Sequence, residues 1–289
     1  MSQEKILDKV KRLREITGVG FKDCKNAIDE TKGDIEKSIE LLRKKGIAKA
    51  NKRMERVAAE GLICIYEKDN KLSMIELNSE TDFVAKNNEF INFAELVSKL
   101  ALDNHGKIDD ILNSKMENKK TVSDNLVSLI SKIGEKITLR RSSFVGKNKT
   151  INFSYVHSAI KKNIGKLGVL LSLETDKPKS EVLEFGKQLA MQIAAASPLS
   201  IDKGDLDQNI IEKEKEIITE ELKNTGKDIK IVEKIAVGKF NKFISENTLL
   251  NQEWIMEPKK KVKDVLKEVS GKNKILVKEF KRFKVGEGM

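Results

Sequence analysis

Residues 71–84 read KLSMIELNSETDFV, and residues 166–178 read KLGVLLSLETDKP. The two segments resemble each other with one residue dropped, and each is an apolar run of strand length that closes on Glu-Thr-Asp. Each precedes a helical pattern in which Phe93 and Phe185 hold matching places. A repeat distance of about 95 residues is too long for a solenoid unit. The pattern predicts an α+β core of two related halves with antiparallel sheets.

Upstream, LICIYEKDNK (62–71) supplies a partner strand, with a turn at Asp69 and Asn70. Downstream, Phe90, Ala94, Val97 and Ala101 mark one face of a helix. A polar stretch (103–120) leads to a second helix ending near Ile133, then to a strand through Ile137, Leu139 and Phe144. Residues 56–145 therefore read as the first half, and 146–289 as the second. In the second half Val182, Phe185, Leu189 and Ile193 form a stripe that stops before Pro198. Ile210, Ile211, Ile217, Ile218 and Leu222 form another that ends near Gly226, and Ile229, Val232, Ala236, Phe240 and Phe243 form a third. The middle pair predicts a projecting antiparallel hairpin, an insertion at about 199–227. A short helix with Val262, Val265, Leu266 and Val269 and a last strand from Ile275 to Val285 close the chain.

Residues 1–55 read as a three-helix head with a basic linker. Ile6, Val10, Leu13 and Ile16 share one face, and Gly18 and Gly20 break that helix. A second helix starts near Asp23 as N-cap. Gly33 then stops it, and Asp34 caps a third that carries Ile35, Ile39 and Leu42 and ends at Gly46. Lys49 to Ala59 continues as a basic helical linker. Three short helices enclose little core, which suits a docking head.

The chain has 289 residues, 39% hydrophobic and 35% charged, which describes a folded protein with a heavily solvated surface. The net charge is +11. From Lys259 to Lys284 eleven basic residues face three acidic ones, a net of +8, so the basic segment at about 259–289 carries most of the excess. A basic balance fits an acidic partner or a nucleic acid, but aromatic residues of the kind that stack on bases are nearly absent from the basic Arg43–Arg56 segment. No apolar run approaches the ~20 residues of a membrane span. The amino end lacks the apolar core of a signal peptide, and Cys24 and Cys64 form no paired motif, so a reducing, cytoplasmic setting is expected.

Enzyme constellations are missing from the pattern. His105 and His157 are the only histidines, and neither has a second ligand nearby in sequence, so no metal site is expected. No nucleophile elbow or phosphate loop is present, and Gly18-Val19-Gly20 follows a helix where a dinucleotide fingerprint needs a strand. Thr81-Asp82-Phe83-Val84 stands out at a strand–helix junction. Phe83 there either caps the following helix from the core or stands outside as a contact anchor. The second copy, Thr175-Asp176-Lys177-Pro178, has no aromatic at this place, which favours the anchor.

Taken together, LREITGVGFKDCKNAI (13–28), GDIEKSIELLRKKG (33–46), ELNSETDFVAKN (76–87), KIGEKITLRR (132–141), YVHS (155–158), GKLGVLL (165–171), MQIAAASP (191–198), WIMEPKKKV (254–262) and FKRFKVGEG (280–288) resemble the bacterial elongation factor Ts family. The resemblance runs over nearly the whole chain. It implies a guanine-nucleotide exchange factor for elongation factor Tu in translation, not an enzyme, with no cofactor or metal of its own. It implies a head like a ubiquitin-associated domain, with Leu13, Arg14, Phe21 and Lys22 at the contact with the GTPase, Phe21-Lys22 standing where some members have two methionines. It implies that Thr81, Asp82, Phe83 and Val84 displace Mg²⁺ from the partner, and that Ile133, Gly134, His157 and Met256 add contacts. The helical pair at 199–227 is similar to the family's coiled-coil projection and is a candidate surface for dimerisation. The loop Ser158–Asn163 departs from the family's shorter glycine-rich turn. The partner is then elongation factor Tu, GDP-bound or nucleotide-free, with no membrane and no stable nucleic acid. A basic nucleic-acid-binding module is the alternative that the charge alone suggests.

Overall fold

The computed structural model describes residues 3–147, 149–223 and 229–289. Helices α1 (Gln3–Thr17), α2 (Phe21–Glu30) and α3 (Ile35–Arg53) form the head around Val10, Leu13, Cys24, Ala27, Ile28 and Leu42. The Asp34 cap is present, its Oδ1 accepting from the Lys37 amide at 3.0 Å. Two expectations are corrected. Helix α2 begins at Phe21 with Gly20 as its cap, and Asp23 lies in its first turn. Helix α3 runs through Gly46 to Arg53, because Gly46 lies where α3 crosses the core helix Val122–Ile133. A Cβ on Gly46 would sit 2.5 Å from Ser131 Oγ, so the glycine permits a close crossing and does not end the helix.

The first half follows as β1 (Glu60–Lys68), β2 (Lys71–Ser79), α4 (Asp82–Ala85), α5 (Asn88–Asp103), α6 (Ile108–Asn113), α7 (Val122–Ile133) and β3 (Ile137–Val145). Asp69 and Asn70, with φ of 50° and 60°, make the two-residue turn that suits the twist of a hairpin. The second half comprises β4 (Thr150–His157), β5 (Ile164–Gly165), β6 (Leu167–Thr175), α8 (Lys179–Ala196), α9 (Gln208–Lys223), α10 (Ile229–Asn247), β7 (Glu253–Trp254), β8 (Glu257–Lys261), α11 (Val262–Ser270) and β9 (Ile275–Lys284). All strand pairs are antiparallel, in sheets ordered β3-β2-β1-β5, β4-β6-β9 and β7-β8. The fold is α+β, as the repeat predicts.

The two larger sheets stack face to face between helices. Along β1, Leu62 and Cys64 point to the core under α5 and α7, while Ile63 and Ile65 point to the second sheet. On β6, Leu170 meets the first sheet while Val169, Leu171 and Leu173 face α8. Both faces of these strands are covered, which is why they read as continuous apolar runs in the sequence. Gly168 lets the sheets touch, since a Cβ there would lie 2.6 Å from Ile63 Cγ2.

The helical pair is formed by α9 (Gln208–Lys223) and α10 (Ile229–Asn247), and not within 199–227. Residues 199–206 instead lie at its base, where Ser200 bridges Thr248. Lys215 sits over the Phe240 ring and Lys239 pairs with Glu221. Gly226, expected near the end of α9, lies outside the described residues, as do the side chains of Lys49 and Lys52. Among the described residues no helix is long and apolar enough to cross a membrane.

Candidate functional site

Where β2 runs out, the chain turns abruptly. Thr81 is the last extended residue, with φ −125° and ψ 156°, and its hydroxyl caps the Val84 amide at 3.4 Å. The single turn α4 follows, with Ala85 buried and Val84 packed against the first-half core. These two residues anchor the turn and leave Phe83 on its outer side. Phe83 is 80% exposed, more than any other large apolar residue described. A phenylalanine left in water forgoes about 1.5–3 kcal/mol of burial. The ring therefore contributes little to this fold and resolves the two sequence readings in favour of the exposed one. In the second copy the matching residue, Lys177, folds back and donates to the Val269 carbonyl at 2.7 Å.

The turn is firmly seated. The Thr81 amide donates to Glu135 Oε2 at 3.0 Å, and its hydroxyl to Glu135 Oε1 at 2.7 Å. Ser79 Oγ donates to the Thr81 carbonyl at 2.9 Å. Beside Phe83, Lys86 Nζ lies 2.8 Å from Asp82 Oδ2. The hydrogen bond from Lys86 holds the Asp82 carboxyl below its usual value, and the same bond raises Lys86. Asp82 thus stands ionised one residue from the exposed ring.

Ile133 and Gly134 come to the same place. Ile133 packs against the first-half core, and Gly134 ends α7 in the left-handed region at φ 93°. Glu135, next in sequence, is the residue that grips Thr81. The head is docked on α7 nearby: Arg43 pairs with Asp124 at 2.7 Å, and Arg53 donates to the Ile130 carbonyl at 2.9 Å.

The other predicted residues sort by exposure. Arg14, Phe21 and Lys22 are exposed on the head, Phe21 by 43%. Leu13 is fully buried in the head core, so its side chain supports that surface from beneath. His157 ends β4 in solvent, with Nδ1 3.0 Å from the Tyr155 hydroxyl. The loop after it folds back tightly, and the Ile65 amide donates to the Asn163 carbonyl at 2.9 Å, seating β5 on β1. Met256 is exposed between β7 and β8, next to Trp254, which stacks on Phe185.

Sequence reasoning missed Glu135 and Glu80, whose spacing from Thr81 carried no signal among so many carboxylates. Among the described residues no group of three or more His, Cys, Asp or Glu could hold a metal ion.

The family model described as Elongation factor TS matches residues 80–287. Curated relatives named elongation factor Ts resemble nearly the whole chain. That of Bartonella tribocorum is 41% identical over 285 residues, covering 97% of this chain and 92% of the relative. That of Methylorubrum extorquens is 40% identical over 283 residues, with the same coverage. That of Clostridium botulinum strain Eklund 17B is 42% identical over 285 residues, again with 97% and 92% covered.

Proposed function

The chain belongs to the elongation factor Ts family, and we propose that it is the guanine-nucleotide exchange factor for elongation factor Tu in translation. On this reading it binds the GDP form, and Asp82 and Phe83 enter the partner near its Mg²⁺ and phosphate site. The observation that carries the proposal is Phe83, held in solvent at the tip of a short, well-bonded turn.

The physical chain is short. A GTPase holds GDP largely by cradling its phosphates and by Mg²⁺ neutralising their charge. A factor that binds the nucleotide-free partner better than the GDP form weakens GDP binding by the same ratio. Each ~1.4 kcal/mol of that difference loosens GDP tenfold. Displacing Mg²⁺ leaves phosphate charge uncompensated, and an aromatic ring inserted beside the metal site disturbs the groups that hold it. No covalent step is needed. Arg14, Phe21 and Lys22 of the head, Ile133 and Gly134 beside the turn, and His157 and Met256 of the second half are the proposed docking points around it.

The test is to mix the chain with elongation factor Tu carrying fluorescent GDP. A one-to-one complex and accelerated GDP release at physiological salt are expected. Absence of both, with RNA binding that weakens steeply as salt rises, would favour the nucleic-acid reading of the basic segment.

A further inference from the structure

The ladder between β2 and β3 ends at the pair Ser79–Ile137. Continued in register, the next rungs would join Glu80 to Lys136 and Thr81 to Glu135. Among the described residues no main-chain hydrogen bond closes them. Side chains close them instead. The Lys136 amide donates to Glu80 Oε1 at 2.6 Å, while the Thr81 amide and hydroxyl donate to the two oxygens of Glu135. Each strand end thus offers an amide to a carboxylate of the other. Hydrogen bonds to an ionised carboxylate are roughly twice as strong as neutral ones. They stand in for the two rungs that the ladder lacks, and directly after Thr81 the chain turns through Asp82 and Phe83.

We infer that Glu135 is a positioning residue for Phe83, and that it makes the Phe83 turn and the Ile133–Gly134 corner one rigid contact unit. The inference rests on the exchange reading above. Glu135 follows the left-handed Gly134 directly, so the end of α7 and the Phe83 turn are tied through two hydrogen bonds 2.7 and 3.0 Å long. Glu80 serves the reciprocal bond and is held in turn by Arg56 Nη1 at 3.3 Å. Placement of Phe83 governs how deeply the ring enters the partner, and hence the rate of release once bound. The docking points on the head are untouched by it.

The experiment measures GDP release from elongation factor Tu against concentration of the full chain, separating the maximal rate from the half-saturating concentration. Phe83→Ala serves as the reference. Glu135→Ala is expected to lower the maximal rate about tenfold, with a much smaller change in half-saturation. Glu135→Gln, which keeps one acceptor oxygen, recovers part of the rate. Glu135→Ala added to Phe83→Ala costs nothing further, because its effect passes through the ring. Thr81→Val, which removes the hydroxyl that donates to Glu135 and caps the Val84 amide but keeps the amide bond to Glu135, gives a smaller loss of the same kind and stands in if Glu135→Ala does not fold. Full maximal rates for Glu135→Ala and Thr81→Val beside an inactive Phe83→Ala would overturn the positioning role alone. So would additive losses in the double variant. A fully active Phe83→Ala would instead overturn the role of the ring beneath it, and no acceleration of release by the wild-type chain would overturn the exchange reading itself.

Discussion

Glu76 has no exposed surface, and a β-bulge is what makes its burial tolerable. The register of β2 on β3 shifts between Glu76 and Leu77, which leaves Arg140 unopposed and lets two consecutive arginines reach one carboxylate. Arg140 Nη1 lies 3.1 Å from Oε1 and Arg141 Nε 2.5 Å from Oε2, while the Gly286 amide donates at 2.9 Å and Asn78 at 3.0 Å. Burial opposes the charged form, but the Gly286 amide, Asn78 and Arg141 outweigh it and bring the carboxyl below its ordinary value. A carboxyl shifted down in the fold adds stability above its unfolded pKa and loses it as pH falls through the folded one. For Glu76 that loss falls below about pH 4.5, the value of the free carboxyl. Glu76→Gln should cost about 3 kcal/mol at neutral pH, because Arg140 loses its carboxylate partner and Arg141 keeps only the longer ion pair with Glu287, at 3.8 Å. Denaturant midpoints taken against pH should show the wild type and the variant converging in acid; parallel curves would contradict this account of the carboxylate. The sequence showed two adjacent arginines and a strand glutamate but not the bulge, which depends on pairing between segments 64 and 65 residues apart.

At the scale of elements, one face of α3 carries the bonded part of the joint between head and core, while the α1–α2 turn approaches Lys132 of α7 at Gly18. Arg43, Gly46, Ala50 and Arg53 recur at spacings of three and four: the arginines bond α7, Gly46 crosses Ser131, and Ala50 enters the first-half core. The glycine was legible only as a stop, since sequence alone cannot distinguish a helix end from a close crossing. In the interior of an exposed helix, Gly→Ala gains about 1 kcal/mol. At Gly46 that gain meets Ser131 Oγ at 2.5 Å, whereas Ser131 Cβ, at 3.5 Å, is in ordinary contact. Gly46→Ala should therefore stabilise the chain more in a Ser131→Ala background than in the wild type, by at least about 0.5 kcal/mol in denaturant unfolding. Equal effects in both backgrounds would mean that the crossing is looser than described. Elements with strong periodicity, such as α5, α8 and the β1–β2 hairpin, were legible because period and turn chemistry agree. The six-residue α6 was not: within IDDILN only Ile111 is buried, too little to show a helical stripe. The hairpin was legible as helices but misplaced, because the pairing of α9 with α10 is a tertiary fact.

For the whole molecule, the face-to-face sheets place the first-half helices on one outer layer and α8 on the other. At one matching position the two Glu-Thr-Asp segments differ in exposure: Phe83 stands out in the first, Lys177 folds in on the second. Exposure of Phe83 was an open choice in the sequence, since a strand–helix junction admits either direction until packing decides it. The central claim, that this ring unseats the partner's metal and with it GDP, is tested most directly by following GDP release from elongation factor Tu across a series of Mg²⁺ concentrations. With saturating wild-type chain, release should be fast and nearly independent of Mg²⁺. Phe83→Ala should keep the wild-type melting temperature yet give slow release at millimolar Mg²⁺, approaching the wild-type rate only when the metal is chelated. Fast release by Phe83→Ala at every Mg²⁺ concentration would contradict the claim.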